Sequence, residues 1–471
     1  MRLRAMRPWV VAAAVVALAN AVFLLLALWV ALLPRDRLAD RIRDAFASGD
    51  LIENDWPWLE SRRGFNQYHD CSVLQMISNR DDDLWASTVA PLIYNRNRGE
   101  TDRCATLHTL VTEGPNTTRY LVYRYTRYWH GYNPVSAGLL WVLDLGQVRT
   151  VLKLAVYSAL LLLVGAAGAG TRHRGLLAVA ASITITGILF WAVPYFGQSL
   201  THGPGDSFVI LGLACLLFWR ERASRLAFLI PFCAVYGAGA AYLEFLTGLL
   251  PTAAGLLFAT LYLIARLRPE PKNEPSRAWR FALAGLLAFA LGAALTVIIK
   301  QILTAAVVGP YAVRDFLEYL HRYINPAPGA SLRHFGKSWA SPQDSLIWST
   351  LKAVRALLGE GYILAYGSRQ GAIALYAASA LAWFAAGYLA LRTRTRWASS
   401  DFLAFAAGAG IILAWICAVQ THTMLHKFWM VRMLIVPLSL GWGAVAWQLI
   451  AAPIQSRAAS AWRPAKQMQP G

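Results

Sequence analysis

The sequence predicts an all-α polytopic membrane protein, with about ten transmembrane helices and a large outer loop domain after the first. Three observations predict it. Of the 471 residues 57% are hydrophobic, and the mean hydropathy is +0.42, both high for a soluble chain of this length. Apolar runs of bilayer-crossing length recur along the chain. The formal charge of +19 is concentrated in short loops between those runs, where the positive-inside rule expects it. That distribution argues against a nucleic-acid partner.

The elements follow in order. Arg2, Arg4 and Arg7 precede a run over residues 9–33. It is longer than a signal-peptide core and lacks a clear cleavage site, so it is expected to stay as an anchor. Its basic flank places the N-terminus in the cytoplasm and residues 34–148 outside. From Pro34 to Ser136 there are 14 acidic residues and 13 Lys and Arg, out of 25 and 44 in the chain. This near-neutral stretch predicts a folded, solvated domain. Within it, Leu38, Ile42 and Phe46 recur at helical spacing, which predicts a short amphipathic helix from Arg35 to Ala47.

Nine further spans are predicted, over residues 151–170, 175–196, 207–219, 226–242, 249–265, 281–308, 372–391, 402–419 and 433–449. Residues 149–309 then carry spans two to seven. Residues 310–370 form a second outer loop, in which Phe316, Tyr319, Leu320 and Tyr323 suggest an interfacial helix. Residues 371–471 carry the last three spans and a cytoplasmic tail. Both termini lie inside, and the setting is a bacterial inner (plasma) membrane. The run Gly165-Ala166-Ala167-Gly168-Ala169-Gly170 sits at a span end without a preceding strand, so close helix packing explains it better than a dinucleotide loop.

Cys215, Cys233 and Cys417 lie in apolar runs, whereas Cys71 and Cys104 are the only two in the polar segment. On an oxidising side of the membrane those two are a natural disulfide pair. No Cys/His spacing matches a zinc site, and there is no P-loop, His-Glu-x-x-His motif or Gly-x-Ser-x-Gly elbow. No cofactor is expected, with a divalent metal left as the alternative.

The polar segment closes on Tyr125-Thr126-Arg127-Tyr128-Trp129-His130-Gly131-Tyr132-Asn133-Pro134. Rings and cations packed so densely suit either an interfacial aromatic belt or a wall that binds an anionic lipid-linked substrate. The other polar residues at outer span ends are His202, Asp206, Glu244, His422, His426 and Arg432. Glu244 lies between two apolar spans, where an ionisable group is costly and usually faces a cavity. The glycine-broken stretch His202 to Ser207 opens a span. A helix start there could present N–H groups to a phosphate, and Asp206 or Ser207 as an N-cap explains the same residues. His422 and His426, one helical turn apart and near Arg432, suit a diphosphate as donors and cations.

The strings His69-Asp70, Arg127 to Tyr132, Glu244-Phe245-Leu246-Thr247, Thr421-His422 with His426, and Arg432 resemble a family of bacterial polytopic membrane proteins. Its architecture is similar to the GT-C class of integral-membrane glycosyltransferases. The resemblance covers most of the chain in outline, and the Arg-Tyr-Trp-His-Gly-Tyr string is its most specific piece. It implies a polyprenyl-phosphate sugar donor, a glycan or lipid acceptor on the outer face, a part in cell-envelope polysaccharide synthesis, and an essential acid in the first outer loop. Asp70 is the expected general base, with Asp55 next; a helix N-cap is the competing part for Asp70. Arg127, His130, His422, His426 and Arg432 would hold the leaving phosphate, with Tyr132 and His202 also at the binding site. Asp206 and Glu244 would bind sugar or acceptor hydroxyls. A lipid-linked glycan ligase using His321, Arg322 and His334 is the alternative, and a lipid or polysaccharide flippase is a further one.

The charge asymmetry yields a direct test. A cysteine placed near Arg80 should react with a membrane-impermeant thiol reagent on intact cells, and one near Lys272 should not. The reverse labelling would invert the topology.

Overall fold

A computed structural model describes residues 2–54, 67–79, 83–96, 102–114, 120–169, 173–244, 246–268, 274–324, 346–365, 367–393 and 395–461. Asp55, Arg80, Lys272, Arg333 and His334 fall outside them, as does the side chain of Arg322.

Among the described residues eight helices are long and apolar enough to cross a membrane: Met6–Leu32, Leu145–Gly168, Leu226–Leu243, Leu249–Arg266, Pro275–Val308, Arg369–Thr393, Arg396–Ala418 and Lys427–Ile450. Two shorter apolar helices, Arg174–Phe190 and His202–Phe218, occupy the places of the third and fourth expected spans.

Three of the boundaries that differ from the expectation bear on the site, each for a local reason. The second span begins at Leu145 because Asp144 and Gln147 form a reciprocal capping box. That extra turn brings Arg149 into the helix. The third stops at Phe190 rather than Phe196. Beyond it the chain turns through Ala192 at φ 50° and a buried stretch that includes Trp191, Phe196 and Leu200. The fourth begins at His202 rather than Ser207. His202 and Asp206 are therefore one turn apart on a helix, and neither Asp206 nor Ser207 is its N-cap.

The helices touch through glycine. A Cβ on Gly237 would lie 1.9 Å from the carbonyl oxygen of Phe289, and one on Gly292 would lie 1.9 Å from that of Ala234. Only glycine at both sites lets Leu226–Leu243 and Pro275–Val308 approach so closely. The expected packing role of Gly165 and Gly168 does not hold. A Cβ at Gly165 would meet nothing within 4 Å, and one at Gly168 would make only ordinary contact.

The polar segment has its own core. The helix Arg35–Ala47 forms as expected and buries Leu38 and Ile42 against Leu74, Leu107 and Leu140. Two further helices, Gln67–Ser78 and Arg103–Glu113, are joined by a disulfide between Cys71 and Cys104. The all-α expectation misses one feature: Leu92–Arg96 pairs antiparallel with Tyr120–Arg124, with Leu92 opposite Arg124. The aromatic string does not lie in a belt. Trp129, His130 and Tyr132 are buried, and the Gly131 N–H donates to the Tyr242 carbonyl at 2.9 Å. A Cβ on Gly131 would sit 2.4 Å from the Tyr242 ring, so the glycine is what lets the string dock on the bundle.

The disulfide separates its cysteines by 33 residues, which in the chain-entropy account is worth roughly 3–4 kcal/mol. Cys71→Ser should lower the unfolding temperature of the purified protein. Non-reducing peptide mapping of the wild type should recover the two cysteines in one linked peptide pair, and two free thiols would contradict the pairing.

Candidate functional site

A cavity of about 200 Å³ lies where the polar segment meets the bundle. The polar segment supplies His69, Arg103, Tyr125, Arg127 and Tyr132 to its wall, and the bundle supplies Thr201, Glu244, Thr247, His422 and His426. Tyr319, from the amphipathic helix Tyr311–Ile324, completes it. The bundle residues all come from helix ends. Glu244 follows Leu226–Leu243, Thr201 precedes His202–Phe218, and His422 and His426 fall between two spans.

Behind this wall is a buried charge cluster. Arg432 donates to Asp206 at 2.6 Å and to Glu244 at 2.5 Å, and also to the Thr247 carbonyl at 3.2 Å. The Thr247 hydroxyl donates to Glu244. The second Glu244 oxygen lies 2.9 Å from His202 Nδ1, and His202 Nε2 lies 3.4 Å from His69 Nδ1. His202, Asp206, Glu244 and Arg432 are all 3% exposed or less. One planar guanidinium binds two carboxylates from different helices, a geometry that lysine cannot supply. The cluster joins three residues read separately in the sequence and changes the expected part of Arg432. Its guanidinium is engaged by carboxylates and does not line the cavity.

Arg127 and Arg103 are the cations on the wall. Arg127 stacks its guanidinium 3.4 Å from the Tyr319 ring centre and pairs with Asp315 at 3.5 Å. Arg103 donates to the Tyr123 hydroxyl at 2.8 Å. Burial would favour neutral arginine, yet the surrounding phenols, and for Arg127 also Asp315, hold both guanidiniums more firmly protonated.

The imidazoles behave otherwise. Burial first, and then neighbouring positive charge, lowers the pKa of His69 well below its usual value. Burial and Arg127 bring His426 down to about 4, and burial and His426 lower His422. These rings are neutral near pH 7. His422 and His426, whose centres are 4.4 Å apart, therefore offer hydrogen bonds and not the expected cations. His130 is brought down to about 3 by burial and Lys300. It accompanies Tyr132, 2.7 Å from its Nδ1, but faces a separate small void beside Asn133 and Lys300. Among the described residues no three His, Cys, Asp or Glu side chains form a metal-holding group.

Asp70 is elsewhere. It is 1% exposed and is not part of the cavity wall. It sits within the first turn of Gln67–Ser78 and is not the cap of a helix that starts at Cys71. Its carboxylate accepts from Arg149 Nη2 at 2.8 Å and Nε at 3.3 Å, from the Ser199 hydroxyl at 3.0 Å and from the Leu200 N–H at 2.9 Å. Arg149 also donates to the Asp50 carbonyl at 2.6 Å. Both carboxylate oxygens are committed to joining the polar segment to the bundle. The residue that reaches the cavity is its neighbour His69. The sequence offers His69 only as a neighbour that orients Asp70 or tunes its pKa, and it does not single out Arg103 or Arg149. Adjacency to Asp70 and Cys104 was the only local signal for the first two, and Arg149 lacked one.

The chain matches no family model, no curated protein and no solved structure.

Breaking a buried ion pair by removing one partner costs roughly 3–5 kcal/mol. Asp70→Asn should therefore lower the unfolding temperature and the folded yield, and Arg149→Met should do the same. The double variant should lose less than the sum of the two. An Asp70→Asn protein with wild-type stability would remove Asp70 from this anchoring role.

Proposed function

We propose that this chain is a membrane glycosyltransferase that moves a sugar from a polyprenyl-phosphate donor to a glycan or lipid acceptor. The reading places the reaction on the outer face of the bacterial plasma membrane, with both termini in the cytoplasm and a part in cell-envelope polysaccharide synthesis. One observation carries it: a single cavity sets Arg103 and Arg127 on the same wall as Glu244 and His69, at the level where the apolar helices end. A lipid phosphate rests at that depth, with its chain among apolar helices and its charge at the interface.

In this reading Arg103 and Arg127 hold the phosphate, and His422 and His426 donate to it as neutral imidazoles. The negative charge that grows on the departing phosphate meets fixed donors held by the protein, which need no reorganisation as the charge develops. The tyrosines face the sugar or the acceptor. A lipid-linked glycan ligase would use the same wall and differ in acceptor.

The test uses the full chain in lipid nanodiscs. Mass spectrometry of the purified protein should find a polyprenyl phosphate bound to it. Labelled synthetic polyprenyl-phosphate sugars should donate to an acceptor glycan. Arg127→Ala should weaken donor binding about 10- to 100-fold, as expected for a lost charged hydrogen bond. A protein that retains no lipid phosphate and moves no sugar from any donor in the panel would overturn the proposal.

A further inference from the structure

We propose that His69 is the proton acceptor of this transfer, and that Glu244 and His202 are positioning residues that fix its tautomer. The inference rests on the transferase reading, and it replaces Asp70 as the base.

The geometry dictates the direction of the chain of contacts. Glu244 accepts from Arg432 and from Thr247, which holds it as a carboxylate, and a carboxylate is acceptor-only. His202 Nδ1, 2.9 Å away, must then carry the hydrogen. A neutral imidazole with its hydrogen on Nδ1 has its lone pair on Nε2. That atom is 3.4 Å from His69 Nδ1, so His69 donates from Nδ1 and keeps its own lone pair on Nε2. At 3.4 Å the contact is long, as catalytic hydrogen bonds often are before substrate binds. The His69 ring is also held in place. It stacks on Trp429 with centres 4.2 Å apart and planes 19° apart, and it lines the cavity.

The groups facing His69 are His202, His426, Arg432 and Arg103, and the two arginines oppose its protonation. A phosphate held by Arg103 and Arg127 offsets the opposition from Arg103, so donor binding favours a proton on His69.

The step balances. The acceptor hydroxyl gives its proton to His69 Nε2 as its oxygen bonds to the anomeric carbon. The bond from that carbon to the phosphate oxygen breaks, and its electron pair leaves with the polyprenyl phosphate. His69 then returns its proton to the phosphate or to water.

The experiment uses the full chain in nanodiscs, labelled with 15N-histidine. The His69 resonances are assigned by their loss in His69→Gln. They should show the hydrogen on Nδ1 in the wild type and a mixture of tautomers in Glu244→Gln, a change that a purely packing role for Glu244 would not produce. With a short-chain polyprenyl-phosphate sugar, His69→Ala should lower turnover about 100-fold or more, the range of general-base catalysis. Its donor KM should stay within about twofold, and added imidazole should recover at least about tenfold of the lost rate. Turnover near wild type, a loss that imidazole does not relieve, or a hydrogen on Nε2 would each overturn the assignment. A wild-type protein that transfers no sugar would overturn the transferase reading instead, and the spectra alone would then decide the tautomer chain.

Discussion

Arg432 is the constraint on which the rest of the site depends. Its guanidinium is buried with two carboxylates, and all three would be costly there alone. Each carboxylate belongs to a different helix, Asp206 to His202–Phe218 and Glu244 to the end of Leu226–Leu243. The ends of these helices are thereby held together without covalent linkage. Removing Arg432 would leave two carboxylates unmatched in a region of weak screening. The same cluster fixes the carboxylate of Glu244, and from it the orientation of His202 and His69.

Three consecutive residues connect this cluster to the polar segment. His69, Asp70 and Cys71 lie on one helix, where successive side chains point about 100° apart. They therefore reach three different places: His69 the cavity, Asp70 the buried pair with Arg149, and Cys71 the disulfide with Cys104. The last two hold the helix from different sides, and the first is thereby held in register with the bundle. The disulfide also fixes the start of Arg103–Glu113, and with it Arg103 on the cavity wall.

The bundle beneath the site achieves closeness by different means. Apolar side chains offer no preference for one another over lipid, so contact depends on shape. Gly237 and Gly292 supply that shape in one helix pair. Gly255 and Gly408 do so in another, where an added Cβ would come within 2.8 Å of the facing carbonyl oxygen. At the end of the bundle away from the cavity, Asp401 accepts from Tyr262 and Trp447 at 2.8 Å each and pairs with Arg266 at 3.4 Å. Each end of the helix stack thus has a buried carboxylate cluster that sets its register.

The sequence by itself determined the membrane class, the places of the apolar helices, the amphipathic helix Arg35–Ala47, the pairing of Cys71 with Cys104 and the polar residues worth watching. These properties depend on local composition, periodicity and the count of cysteines in the polar segment, all of which are written along the chain. Only the tertiary structure decided which of those residues meet. Asp206, Glu244 and Arg432 are separated by up to 226 residues, and nothing in their spacing says that one guanidinium serves both acids. Asp70 looked like a base because it is an acid in an outer loop, and its commitment to Arg149 depends on a helix extended by the Asp144 cap. The histidines looked like cations because they lie beside arginines; burial, which no linear pattern records, makes them neutral.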